Sequence, residues 1–151
     1  MKNDAKNECL LFPILGRYVD RIRSGGKRWE YRRRKPARHF LRGFILDLDH
    51  PQKVIGEFRP GRILTGTPTA IWRQTWKTGG VFRQEYEAYV GNRTQLTAIE
   101  ITHPRFYSAM DYFDPVEFWK LSAPPQSFIY VPLPPWPFGD PRGKSYDLFP
   151  E

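Results

Sequence analysis

At 151 residues, with 24 Lys and Arg against 16 Asp and Glu, the chain carries a formal charge of +8. No apolar run approaches the ~20 residues of a membrane-spanning helix, and a single cysteine, Cys9, excludes an intrachain disulfide or a thiolate metal cluster. One domain with an aromatic-rich core (16% Phe, Trp and Tyr) is expected, broken into many turns by 15 prolines and 12 glycines.

Residues 1–9 are polar up to the cysteine and are expected to be disordered. The apolar stretch before Pro13 is short and lacks a small-residue cleavage site, so no secretory leader and a cytoplasmic setting are expected. Cys9–Phe12 reads as a first strand that Pro13 ends at an edge. Leu15, Tyr18, Val19 and Ile22 recur at helical spacing, and Ser24-Gly25-Gly26 stops that helix. Arg28–Arg32 alternates aromatic and charged residues as a second strand. Lys27 falls at the corner between them, with little side-chain bulk before it to shield it. Gly43–Asp49 alternates as a third strand. If it pairs antiparallel with the second, Asp47 and Asp49 oppose Arg32 and Arg34.

Lys53–Arg59 reads as a fourth strand, and its interior Gly56 implies a bulge, a barrel corner or close backbone approach. Thr67 caps and Pro68 opens a helix with the stripe Ile71, Trp72, Thr75 and Trp76. Gly79-Gly80 interrupts, and Phe82, Tyr86, Tyr89 and Val90 form a second stripe running to Gly91. Core packing is the better reading of these aromatics than a base-stacking platform, and the same holds for Trp29. Thr94–Thr102 reads as a fifth strand, Asp114-Pro115 opens a helical turn through Trp119, and residues 124–131 form a last strand. Residues 132–151 form a proline-rich arm whose Leu133, Trp136 and Phe138 are expected to lie on the body.

The positive charge is local. Arg17 to Arg42 carries a net +9 in 26 residues, and the rest of the chain sums to −1. Two readings stand: a patch aimed at phosphates, formed by Arg17, Arg21, Lys27, Arg28, Arg32, Arg33 and Arg34, or a solvated strand end balanced by carboxylates. Lys27, Glu30 and Arg32 form either an ordinary ion-pair cluster or a site in which a partly dry lysine gives up its proton beside a carboxylate. Ser127 would add a hydroxyl if the last strand comes close. His39, His50 and His103 are far apart, so no metal and no cofactor are expected.

The pattern Tyr18, Ile22, Gly25/Gly26, Lys27, Glu30 and Arg32 resembles the signature of ASCH domains, in the PUA-like superfamily. Val54-Ile55-Gly56-Glu57-Phe58 is similar to the family's central strand, and Tyr89-Val90-Gly91 followed by Ala98–Ile101 to its later strand. Pro125-Gln126-Ser127-Phe128 resembles its closing motif. The likeness spans roughly residues 10–131. It implies an α+β, mainly β fold: a small PUA-like β-barrel of about six strands, with a helix after strand 1 and an inserted helical pair. It also implies a cleft at the helix–strand corner sized for a nucleobase, and RNA or a nucleotide as partner, with no membrane. Some members are hydrolases, amidohydrolases or ribonucleases, and Lys27 matches the lysine that the amidohydrolases use. Those enzymes carry a threonine where Glu30 stands, so an enzyme built on Lys27, Glu30 and Ser127 is the alternative. A protein-interaction module binding an acidic partner is a third reading.

Overall fold

The computed structural model describes residues 8–49 and 52–141. The expected disorder of residues 1–9 therefore falls mostly outside the described residues, as does the arm beyond residue 141. The elements are β1 (Cys9–Ile14), α1 (Gly16–Ser24), β2 (Trp29–Arg32), β3 (Gly43–Asp47), β4 (Lys53–Gly66), α2 (Pro68–Thr75), α3 (Arg83–Val90), β5 (Leu96–Phe106), α4 (Pro115–Trp119) and β6 (Ile129–Val131), with single 3₁₀ turns at Trp76–Thr78 and Ala109–Asp111. The six strands form one mixed sheet in the order β2-β5-β4-β3-β1-β6. β1 and β3 run parallel, and β1–β6, β2–β5 and β3–β4 run antiparallel. This is an α+β fold. The barrel expected from the sequence does not close, because four-residue β2 and three-residue β6 end the strand order as separate edges.

The described residues divide into two compact units: the chain up to Gly16, Phe40–Arg59 and the chain from His103 on; and Arg17–His39 with Pro60–Thr102. In the first unit every residue of β1 is buried, as suits an apolar strand with neighbours on both sides. β1 runs past the expected stop at Pro13, because β6 reaches only from Cys9 to Leu11 and a proline is tolerated where the ladder has one side. On one face Cys9, Leu11, Phe44, Leu46, Val54, Tyr107, Val131 and Trp136 cluster. On the other the Phe12 ring meets Phe40, Phe58 and Phe128 at 5.6–5.9 Å. Gly56 is indeed a bulge site: Ile45 pairs with Gly56 while Leu46 pairs with Val54. It is also a close approach, since a Cβ there would lie 2.6 Å from the Arg105 carbonyl oxygen. The expected pairing of Asp47 and Asp49 with Arg32 and Arg34 does not occur. β3 pairs with β4, so Asp47 faces Lys53, and Asp49 Oδ2 accepts from the Gly16 N–H at 2.8 Å.

The second unit is organised on β2 and its partner β5, in register from Trp29↔Glu100 to Arg32↔Thr97. Trp29, Tyr31, Ile71, Tyr86, Val90, Leu96 and Ala98 form its core, and Trp72 packs against them. Of the α1 face only Val19 and Ile22 are buried; Leu15 precedes the helix and is exposed. Thr67 caps α2 as expected, its hydroxyl accepting from the Ala70 N–H at 3.2 Å. Trp76 and Phe82, placed on apolar stripes by their spacing, are instead 50% and 67% exposed.

Candidate functional site

Gly25, at φ +92°, turns the chain off the end of α1, and the Lys27 N–H returns to the Arg21 carbonyl at 3.0 Å. Lys27 then bridges to Gly79, in the turn between α2 and α3. Gly80 (φ +69°) lies so close that a Cβ there would collide with the Lys27 side chain. The expectation of an unshielded lysine is thus overturned: Gly79-Gly80 covers Lys27, which is 3% exposed. Its Nζ donates to the carbonyls of Trp29 at 2.7 Å and Gly79 at 3.0 Å, with Glu30 Oε1 at 4.0 Å. The Tyr18 and Tyr31 rings lie 5.3 and 5.0 Å from it. Burial lowers the Lys27 pKa to about 8, against the pull of Glu30.

An ammonium has three donors, and two are taken by carbonyls. Lys27 also lines a cavity of about 80 Å³ together with Tyr18, Glu30, Tyr31, Val81, Glu85, Tyr86 and Tyr89. Glu30 Oε2 binds Arg32 through Nη2 at 2.7 Å and Nε at 2.9 Å. Glu85 takes Arg21 Nη1 at 2.9 Å and Arg17 Nε at 3.4 Å, and the hydrogen bond from Arg21 holds its carboxyl below the usual range. The Tyr31 hydroxyl shares a 2.7 Å hydrogen bond with Thr75, and burial raises its pKa to about 12. The arrangement can offer a cation or a free amine, two carboxylates and several aromatic walls to one small planar group.

The sequence-derived residues are therefore partly brought together. Lys27, Glu30 and Arg32 form one cluster, and Arg17 and Arg21 join its rim through Glu85. Arg28, Arg33 and Arg34 are exposed in the same unit; Arg33 reaches the Tyr89 carbonyl oxygen through Nη2 at 2.8 Å and lies 4.4 Å over that ring. Ser127 belongs to the first unit, exposed in the bend ahead of β6. Glu85 and Val81 escaped notice in the sequence. Glu85 stands three residues after the α3 N-cap, the place from which an acidic side chain returns to the cap N–H, and that spacing was its available signal. No group of His, Cys, Asp and Glu that would hold a metal ion occurs among the described residues.

Neither a family model nor a curated protein matches the sequence. Solved structures do match. The chain is similar to an ASCH protein from Zymomonas mobilis, at TM-score 0.69 and 23% identity, over 83% of this chain and 88% of that one. It is similar also to a serine-to-alanine variant of the Zymomonas mobilis protein, at TM-score 0.70 and 22% identity, over 84% and 90%. A tyrosine-to-phenylalanine variant gives 0.69 and 23%, over 82% and 90%. At such identity the likeness speaks for the fold, and it agrees with the order of motifs from Tyr18 to Phe128. The chain has the ASCH fold.

Proposed function

We infer that this ASCH domain binds RNA or a nucleotide, with the edge of one unpaired base in the tyrosine-walled cavity and phosphates on the basic rim at the α1–β2 corner. The observation that carries this reading is Lys27: a lysine held away from solvent, with two carbonyl acceptors for its three donors, in the lining of a hollow it shares with carboxylates and aromatic rings. A hollow of about 80 Å³ is far below the ~300–1,000 Å³ of pockets that swallow a whole drug-sized ligand. It suits a ring edge, which presents acceptors to Lys27 and donors to Glu30 or Glu85. Arg28, Arg33 and Arg34 supply exposed cations in the same unit.

A second reading, a hydrolase acting on a nucleoside or RNA, draws on one observation. A lysine whose pKa is lowered to about 8 holds a useful fraction of free amine near neutrality and can take a proton from a nucleophile. One experiment separates the two. Fluorescent single-stranded RNA is titrated with the wild type and with Lys27→Met/Glu30→Gln across a salt series, and the samples are then run on a gel after long incubation with magnesium. Binding that weakens steeply with salt, intact RNA, and a loss of about tenfold or more in the variant are expected, the worth of one charged hydrogen bond. Cleavage that the variant lacks would favour the hydrolase. No binding at any salt would sink the nucleic-acid reading.

A further inference from the structure

Phe82 departs from two local rules. It occupies the N-cap of α3 in an extended conformation (φ −75°, ψ 155°), where Ser, Thr, Asp or Asn would accept a hydrogen bond from the first turn and a phenyl ring makes none. The residue is also 67% exposed. Departures of this kind concentrate where a residue serves something other than folding.

The residue is nevertheless held in place. Glu85 Oε1 accepts from the Phe82 N–H at 2.7 Å and from Arg21 Nη1 at 2.9 Å. Arg21 Nη1 also donates to the Gly80 carbonyl at 2.8 Å, and the guanidinium lies over the Phe82 ring, 5.0 Å from its centroid. Val81 and Glu85, one residue before Phe82 and three after it, both line the Lys27 cavity. An exposed aromatic residue with a cation over one face of its ring therefore stands next to the Lys27 cavity.

We propose that Phe82 is the stacking floor for a second unpaired base, so that this unit engages two consecutive nucleotides of single-stranded RNA: one edge-on at Lys27, the next face-on at Phe82. This rests on the reading of the Lys27 cavity given above. Stacking needs only the π-face that every base has, so the second position tolerates any base, and the first is read by the donors and acceptors of the cavity. Arg21, over one face of the ring, leaves the other face to the base and adds a cation to the stack and positive charge for the joining phosphate.

The test compares wild type with Phe82→Ser and Phe82→Trp, using a labelled oligouridine octamer and, by competition, uridine monophosphate. Serine supplies the missing cap acceptor, so Phe82→Ser is expected to raise Tm by about 2–4 °C. It is expected to weaken octamer binding about 5- to 150-fold, the range for one lost base–aromatic stack, and to leave monophosphate binding within about twofold. Phe82→Trp is expected to keep octamer binding. A stabilised Phe82→Ser protein that binds the octamer as the wild type does would overturn the stacking floor and leave the cavity reading intact. Equal losses for octamer and monophosphate would overturn it too, by showing that Phe82 only supports Glu85. A wild type that binds neither probe would overturn both.

Discussion

Each unit buries an ionic cluster, and the two clusters differ in what surrounds them. In the first unit Glu57 is fully buried: its Oε2 accepts from the Tyr107 hydroxyl at 2.7 Å and the Trp136 indole at 3.3 Å, and Arg42 Nη1 stands 3.4 Å from Oε1 without hydrogen-bond geometry. Trp136 packs its ring 5.2–6.5 Å from those of Phe118, Phe113 and Phe44, and its carbonyl takes Arg42 Nη2 at 3.1 Å. The charge is closed over by a tryptophan from the proline-rich segment. In the second unit Lys27 is as deeply buried, but tyrosines on three elements hold its surroundings open. A charge sealed among rings serves the fold. A charge in the lining of a hollow costs similar desolvation, and on the proposed reading it is there for a ligand.

The sharpest way to break this comparison is to remove the sealed charge. Glu57→Ala leaves Tyr107 and Trp136 without their shared acceptor and Arg42 without its counter-charge, and loss of one member of a buried ion pair costs about 3–5 kcal/mol. Denaturant unfolding is expected to show that loss, and Glu57→Gln, which keeps an acceptor oxygen, a smaller one. A loss for Glu57→Ala below about 1 kcal/mol would mean that the cluster is not what holds the Trp136 segment in place. Any folded Glu57→Gln protein should bind RNA as the wild type does, since Glu57 belongs to the other unit and is not among the residues that line the cavity.

The second test reads the open cluster through pH. Burial lowers the folded pKa of Lys27 from an ordinary 10.5 to about 8. Across that window the unfolded chain binds more protons than the folded one, so stability rises with pH, and the cost of the buried charge is fully felt below pH 8. Between pH 7 and 9.5 the wild type should gain about 2 kcal/mol relative to Lys27→Met, whose residue does not titrate. The buried tyrosines act in the opposite sense. With its pKa raised to about 12, Tyr31 loses its stabilising contribution as pH climbs from about 10, where the unfolded phenol ionises first. Unfolding is therefore measured below pH 10. A flat difference between wild type and Lys27→Met would show that Lys27 is not desolvated.

What was legible in the sequence was local. Gly25-Gly26 ends α1, Thr67-Pro68 starts α2, Asp114 caps α4 with its Oδ1 on the Val116 N–H at 2.9 Å, and Gly56 marks a bulge; each depends on a few neighbouring residues. The spacing of Lys27, Glu30 and Arg32 likewise fixed their meeting, because one turn and one strand place all three. What was hidden was non-local. The carbonyl that buries Lys27 comes from Gly79, 52 positions on, and the carboxylate that binds Arg21 from Glu85, 64 positions on. Pairing of β2 with β5 instead of β3 followed the same logic: two short alternating runs fit either neighbour, and the choice is made by packing that neither run contains.

The smallest effect tests whether the basic run has any role beyond its internal ion pairs. Arg33 is exposed, with Nε and Nη2 on the Tyr89 carbonyl at 3.0 and 2.8 Å. It touches none of the charges of the Lys27 cluster directly, so Arg33→Ala should change unfolding free energy by less than about 0.5 kcal/mol, as exposed substitutions generally do. Its effect should appear instead in salt dependence. Loss of one phosphate contact on a single strand lowers the slope of log affinity against log salt by about 0.7, whereas Lys27→Met, acting on a base edge, should lower affinity while leaving more of that slope in place. If Arg33→Ala keeps the full slope, Arg33 is a solvated strand end resting on Tyr89, and the phosphate contacts must come from other arginines of the rim. If both variants lose slope alike, Lys27 is meeting phosphate and not a base, and the tyrosine walls around it then have no base to recognise.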